Sequence, residues 1–114
     1  MLNRHCSSLS ELNADEWLEL MEIIKKLESS IKKALNADMF NWSCLMNDFY
    51  KAEKPCPHLH IHLRPRYKNA VYINKKAFYD NEFAHHYDNH KLCVLSGSET
   101  DIVYKLIKDE LSDM

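Results

Sequence analysis

Apolar residues recur at steps of three and four along residues 14–35, which predicts a long amphipathic helix. Asn13 and Glu16 have the spacing of a reciprocal capping pair at its start, in which each side chain reaches the other's backbone amide. The same periodicity predicts a final helix over residues 99–112, capped by Ser96 or Ser98. The inner faces consist of Trp17, Leu20, Ile24, Leu27, Ile31 and Ala34 in the first helix and of Ile102, Val103, Leu106, Ile107 and Leu111 in the second.

Four shorter stretches between these helices have the composition of β-strands. Residues 38–46 become wholly apolar toward their end, which is typical of a buried central strand. A loop over residues 49–57 leads to a second strand at 58–63, so we expect these two strands to pair antiparallel. Short strands over 71–73 and 77–79 follow, with a turn between them. One long helix, an antiparallel sheet and a terminal helix together predict an α+β fold.

The strand predicted at residues 58–63 alternates histidine with aliphatic side chains. His58, His60 and His62 should therefore share one face, about 7 Å apart at a rise of about 3.3 Å per residue. Prolines mark the limits of this strand because proline cannot donate to a ladder. Pro55 and Pro57 lie at its entry and Pro65 at its exit.

Three interpretations fit this histidine face. One imidazole could act as a nucleophile that its neighbours orient and protonate. The imidazoles could instead hold a transition metal such as Zn²⁺, although their spacing on a strand strains a three-ligand site. They could also be half-exposed strand residues without a function. A histidine triple in an otherwise apolar strand favours a functional face.

The length of 114 residues is that of a single domain, here residues 1–114, with a core of its own. A formal net charge of −2 argues against non-specific binding to nucleic acid, which requires a basic stripe. No apolar run is long enough to span a membrane, and no secretory signal is visible, so we expect a cytoplasmic protein. Four scattered cysteines are expected to be buried free thiols, and a single glycine excludes glycine-rich phosphate loops.

The motif His-Leu-His-Ile-His-Leu at residues 58–63, followed by Arg-Pro-Arg-Tyr, resembles the signature of the histidine-triad (HIT) family. Residues 3–12 are similar to the family's entry to its long helix, and residues 80–87 to a C-terminal extension of one prokaryotic branch that resembles diadenosine polyphosphate hydrolases. The resemblance covers most of residues 3–90. It implies a nucleotidyl hydrolase or transferase that cleaves nucleotides at the α-phosphate, with substrates such as dinucleoside polyphosphates and adenosine phosphoramidates.

The resemblance also implies roles for the three histidines. His60 would attack the α-phosphorus and form a covalent nucleotidyl-histidine, which water then cleaves. His62 would hydrogen-bond the phosphate or the bridging oxygen, and His58 would hold the geometry of the strand and the pocket. No cofactor is required, and Mg²⁺ is expected only as the companion of a polyphosphate substrate.

Four further residues are candidates for substrate binding. By resemblance Asn47 and Asp48 contact the nucleotide, although an Asx turn at the end of a strand is an equal alternative. The family commonly carries a glycine-glutamine or serine/threonine pair shortly before the triad, where this chain has Lys-Pro-Cys-Pro at residues 54–57, and Lys54 could hold phosphate instead. Arg64 shares the histidine face and could stabilise phosphate charge, whereas Arg66 is expected at the rim.

No role is assigned to His5, His85 or His86. His5 is expected at the surface or at the edge of the core, outside the chemistry. His85 and His86 fall in residues 80–88, which are expected either to dock as a loop or to form a lid over the substrate.

HIT domains usually begin with two or more strands before the part that matches residues 3–12. The resemblance therefore implies a domain that is short at its N-terminus, with an exposed sheet edge that favours a homodimer. An alternative function for such a domain is a nucleotide-binding regulatory module without turnover.

Overall fold

The computed structural model describes residues 2–87 and 93–114. Two helices and four strands form its framework, and single turns of 3₁₀ helix occur at Leu9–Glu11 and Asn47–Lys51. In chain order the elements are α1 (Ala14–Leu35), β1 (Met39–Ser43), β2 (His62–Arg66), β3 (Val71–Ile73), β4 (Lys76–Phe78) and α2 (Gly97–Ser112). The strands form two pairs, β1 with β2 and β3 with β4. This combination confirms the predicted α+β fold.

The chain divides into two compact units. The first unit consists of the residues up to Ile23 and of Asn41–Arg64. The second unit consists of Ile24–Phe40 and of the residues from Pro65 onward. In the first unit Cys6 and Leu59 are buried, and the Leu59 amide donates to the Cys6 carbonyl at 2.7 Å. The organisation of residues 1–114 as a single domain stays a prediction.

Both predicted helices are confirmed, although Trp17 and Leu106, which were predicted on their inner faces, are exposed. Local hydrogen bonds begin each helix. The Asn13 amide donates to Glu16 Oε1 at 3.0 Å, and the Glu16 amide donates to Asn13 Oδ1 at 2.8 Å. At α2 the cap is Ser96 rather than Ser98, and Ser96 and Glu99 form a reciprocal capping box. These caps satisfy amides that have no partner within the first turn of a helix.

The two strands beside the histidines are shorter or shifted relative to the prediction. β1 ends at Ser43, and the chain enters a 3₁₀ turn at Asn47. β2 begins only at His62, so the predicted bounds of 58–63 were wrong. The reason is that Leu59 bonds to Cys6 and the His60 side chain bonds to the His58 carbonyl, and these contacts lie outside a strand ladder.

The exit predicted at Pro65 was also wrong, because this proline lies inside β2. A strand of a two-stranded pair has one edge without a ladder partner, where a missing amide proton costs nothing. The Asp38 amide, directly before β1, donates to the carbonyl of Arg66 at the end of β2. A bond between the start of one strand and the end of the other is the antiparallel arrangement.

Arg66 lies in the interior of the second unit, where its side chain is only 4% exposed, so its expected place at the rim was wrong. Its guanidinium forms a two-pronged ion pair with Asp80, with Nε–Oδ2 at 2.6 Å and Nη2–Oδ1 at 3.0 Å. It also donates to the carbonyls of Glu82 and His85. Residues 80–85 are therefore docked on Arg66, while Asp88, the end of the predicted loop or lid, lies outside the described residues.

The Arg66–Asp80 pair changes the ionisation of its neighbourhood. The hydrogen bond from Arg66 holds the pKa of Asp80 below its ordinary value, with further help from the amides of Tyr67 and Glu82. Burial, together with the charge of Asp80, raises the pKa of Tyr67 to about 12. Both shifts favour the ionisation states present at neutral pH.

The hairpin of β3 and β4 turns through two residues, Asn74 and Lys75, since Ile73 is paired with Lys76. Both turn residues have positive φ, 50° and 67°. A turn with two positive φ values matches the twist of a hairpin, but a side chain such as that of Lys75 is disfavoured there relative to glycine.

We expect Lys75→Gly to stabilise the protein by about 0.5–1 kcal/mol, because glycine relieves the left-handed backbone of the turn. The matched control is Ala77→Gly in β4, where glycine weakens a strand and the free energy of unfolding should fall. Urea denaturation measures both variants. Destabilisation by Lys75→Gly would contradict this account of the turn.

The cysteines follow the prediction only in part. All four are free thiols, and Cys6 is buried as expected. Cys56 and Cys93 are exposed, so the expectation of burial was wrong for them. Within the described residues, neither helix has the length and apolar character needed to span a bilayer.

Candidate functional site

An open cavity of about 400 Å³ lies in the first unit, within the range of ordinary ligand pockets. The 3₁₀ turn after β1 supplies one side of it, and the histidine segment supplies the other. The lining residues are Leu45, Asn47, Asp48, Phe49, Lys51, His60, His62 and Arg64. The cavity therefore combines two imidazoles and two other basic side chains with an amide, a carboxylate and apolar contacts.

His60 has a defined orientation in this cavity. Its Nδ1 lies 3.1 Å from the backbone carbonyl of His58. A carbonyl only accepts hydrogen bonds, so Nδ1 carries the proton, and Nε2 of the neutral ring carries the lone pair. Phe49 packs against His60 edge-on, with ring centroids 5.6 Å apart. The geometry thus presents one nitrogen of His60 as a nucleophile or ligand.

His62 is the most exposed of the three triad histidines. Its ring is nearly perpendicular to that of His60, at 83°, with centroids 4.8 Å apart. Both rings line the cavity, so His62 can exchange a proton with a group that reacts at His60. Arg64 follows on β2, and its Nη1 lies 3.4 Å from Ser43 Oγ, to which it donates.

His58 lies apart from the cavity lining and contacts His5 instead. The rings of His5 and His58 are stacked, with centroids 5.3 Å apart and Nδ1 atoms 3.2 Å apart. His58 Nε2 lies 2.8 Å from the Leu2 carbonyl and must donate to it. Nδ1 of the neutral His58 ring is then an acceptor, so His5 donates through its own Nδ1.

This chain of bonds links the N-terminal segment to His60. His5 fixes the ring of His58, and the His58 carbonyl fixes the proton on His60. Arg4 ties the same segment to the start of α1 through an ion pair with Glu16 at 2.7 Å. The hydrogen bond from Arg4 holds the pKa of Glu16 below its ordinary value. The sequence predicted that His5 takes no part in the chemistry. The only signal that drew attention to His5 was the resemblance of residues 3–12 to the family.

The substrate-binding candidates divide into two groups. Asn47, Asp48 and Arg64 line the cavity, whereas Lys54 is exposed and is not part of the lining. Lys51, which the sequence did not single out, lines the cavity in its place. Its ammonium lies 2.7 Å from Asp48 Oδ1, and this hydrogen bond holds the pKa of Asp48 below its ordinary value.

The interpretation of the triad as a metal site finds no support in the donor geometry. Within residues 2–87 and 93–114, no three His, Cys, Asp or Glu side chains converge as a set that could hold a metal ion. His58 is turned toward His5 and Leu2, which leaves only His60 and His62 side by side.

Comparison with known proteins gives one positive result. No curated protein and no solved structure matches the chain significantly. The family model described as the HIT domain matches residues 1–69, which is more than half of the 114 residues and includes the whole cavity lining. The chain, with its His-Leu-His-Ile-His-Leu motif and the imidazole pair of His60 and His62, belongs to the HIT family.

Proposed function

We propose that this protein is a nucleotidyl hydrolase or transferase that cleaves its substrate at the α-phosphate through a covalent intermediate on His60. The observation that supports it is the bond between His60 Nδ1 and the His58 carbonyl, which leaves the Nε2 lone pair available. The HIT domain itself points to nucleotide hydrolase or transferase activity in general.

The first step forms a bond between His60 Nε2 and the α-phosphorus. The bond from phosphorus to the leaving group breaks, and the leaving atom takes the electron pair. His62 in its protonated form donates a proton to the leaving atom, so no negative charge develops on that atom as it departs. Splitting one difficult displacement into two easier ones is the advantage of a covalent intermediate.

The second step returns the enzyme to its starting state. Water attacks the phosphorus, the bond from phosphorus to His60 breaks, and Nε2 regains its lone pair. The proton released by water passes to the now neutral His62, which restores the proton that it gave up. In a transferase, another hydroxyl or amine takes the place of this water.

The other polar side chains of the cavity position the substrate. Arg64 stabilises the negative charge of the α-phosphate, and the Asn47 amide hydrogen-bonds the ribose or phosphate. His58 and His5 are positioning residues that act through the His58 carbonyl. The reaction requires no cofactor, and Mg²⁺ enters only with a polyphosphate substrate.

Dinucleoside polyphosphates and adenosine phosphoramidates are the proposed substrates, by resemblance to the HIT family. Catalysis in the cytoplasm, with no nucleic acid or membrane as partner, remains the accompanying prediction.

We also propose a homodimer, in which α1 contributes to the interface. Trp17, Leu18 and Met21 on this helix are 46%, 57% and 42% exposed, which is high for such side chains. Light scattering should give twice the monomer mass at micromolar concentration. A monomer at all accessible concentrations would contradict the proposal.

The experiment that tests the mechanism is mass spectrometry of the protein mixed with a diadenosine polyphosphate and quenched in alkali, in which phosphoramidate bonds survive. We expect released AMP, and an adenylyl adduct that peptide mapping assigns to His60. Nucleotide binding without adduct or AMP would contradict the proposal and favour the regulatory module without turnover.

A further inference from the structure

The cavity contains an ion pair that the proposed reaction does not use. Lys51 ends the 3₁₀ helix Asn47–Lys51, Asp48 lies three residues before it, and their charged atoms are 2.7 Å apart. Both side chains line the cavity with His60 and His62. The pair therefore shares the cavity with the reacting nitrogen, but the proposed acid–base chemistry does not use it.

The Lys51–Asp48 pair is easily opened, because both side chains remain largely in water. Their exposed fractions are 76% for Lys51 and 92% for Asp48. Exposed pairs contribute little to stability, since water and salt screen their attraction. A ligand with several negative charges can therefore take Lys51 from Asp48 at little cost.

The cavity lining includes a cation, Lys51, that the proposed cleavage at the α-phosphate does not use. Arg64 and the two imidazoles already serve the α-phosphate and the leaving atom in the proposed mechanism. A leaving group such as an amine brings no further negative charge. A polyphosphate leaving group brings several negative charges past the α-phosphate, and a flexible ammonium on the cavity wall matches them.

We infer that Lys51 is a specificity-determining residue that binds the phosphates of the leaving group, and that Asp48 is the internal counter-ion these phosphates displace. The inference rests on the proposed function and narrows its substrate class to nucleotides whose leaving group is itself a phosphate chain. It also assigns Asp48 a role different from a direct contact with the nucleotide.

A comparison of two substrates tests the contact between Lys51 and the leaving group. Diadenosine tetraphosphate and adenosine phosphoramidate deliver the same adenylyl group, so they form the same intermediate on His60 and share its hydrolysis. They differ only in the leaving group. The change that a substitution makes in the ratio of their kcat/KM values at fixed Mg²⁺ therefore reports its effect on the leaving group.

For Lys51→Gln we expect kcat/KM on diadenosine tetraphosphate to fall about 10-fold, while that on the phosphoramidate stays within about twofold. Asp48→Asn should have the opposite effect, because Lys51 then loses the partner that competes with the substrate. We expect kcat/KM to rise about two- to fivefold on the tetraphosphate alone. Lys33→Gln is the control for the loss of one positive charge, since this exposed residue lies on α1 and should leave both values unchanged.

Several outcomes would overturn the inference. Equal losses on both substrates would make Lys51 a general structural or binding residue. A loss on both substrates in Asp48→Asn would restore Asp48 as a nucleotide contact. If Lys54→Gln rather than Lys51→Gln changed the ratio, the phosphates of the leaving group would bind Lys54 instead of Lys51.

Failure of the proposed function is distinguishable from failure of this inference. If the wild-type protein turns over neither substrate, the proposed function fails, and equilibrium binding of ATP and AMP then tests Lys51 directly. A loss of affinity for ATP but not for AMP in Lys51→Gln would support the phosphate contact. Unchanged affinity for ATP would overturn it.

Discussion

His60→Ala should lower turnover of a dinucleoside polyphosphate by roughly 10³-fold or more, because it removes the atom that forms the bond to phosphorus. The variant should still bind nucleotide, since Arg64 and the apolar side chains Leu45 and Phe49 remain in the cavity. Steady-state kinetics, adduct formation and nucleotide affinity together measure these effects. Loss of turnover and adduct with retained affinity is the pattern that a nucleophile produces.

The matched control is His86→Ala. His86 is an exposed histidine that is not among the residues lining the cavity, so this variant tests the loss of an imidazole as such. We expect wild-type turnover from this variant. An adenylyl adduct that persists in His60→Ala would contradict the assignment of the nucleophile and require another residue in that role. Equal loss of affinity and turnover would make His60 a binding residue.

The parts of the fold that the sequence predicted depend on contacts close along the chain. The stripe of α1 has a helical period, and Asn13 and Glu16 are three residues apart, so both can be recognised locally. Ser96 and Glu99 have the same spacing at α2. Each interaction connects residues within one turn, where geometry follows directly from spacing.

The start of β2 could not be predicted in this way. Alternation of histidine and aliphatic residues suits an extended chain, but it does not reveal which backbone group each amide finds. The Leu59 amide finds the carbonyl of Cys6, 53 residues earlier, instead of a strand neighbour. An extended segment without a strand partner has the same pattern as a strand, so β2 begins four residues later than predicted.

The same limit applies to the candidate site. The three histidines were recognisable as a group, yet His58 turns toward His5, which is 53 residues away. Lys54 was closer to the triad in sequence than Lys51, but the 3₁₀ turn brings Lys51 to the cavity. The roles of these residues in substrate binding and catalysis stay predictions, and the Lys51 and Lys54 variants test two of them.

Arg66→Met should destabilise the protein by about 3–5 kcal/mol, which is the usual cost of leaving one member of a buried ion pair without its partner. The guanidinium is 4% exposed and binds Asp80 as well as the carbonyls of Glu82 and His85. Methionine replaces its volume but none of these hydrogen bonds. Arg4→Met is the matched control, because Arg4 forms a similarly short ion pair with Glu16 at the surface. The loss of stability in Arg4→Met should be much smaller than in Arg66→Met.

The Arg66–Asp80 ion pair also predicts that the stability of the protein depends on pH. Since Arg66 lowers the pKa of folded Asp80, its stabilisation is fully present above the unfolded value of about 3.9 and is lost as the pH falls below it. Arg66→Met should flatten this acid-side decline, because the carboxylate then has no cation to hold it ionised. Urea denaturation between about pH 3 and 6 compares the two proteins. An unchanged acid dependence, or a loss no larger than that of Arg4→Met, would mean that residues 80–85 are held by other contacts than Arg66.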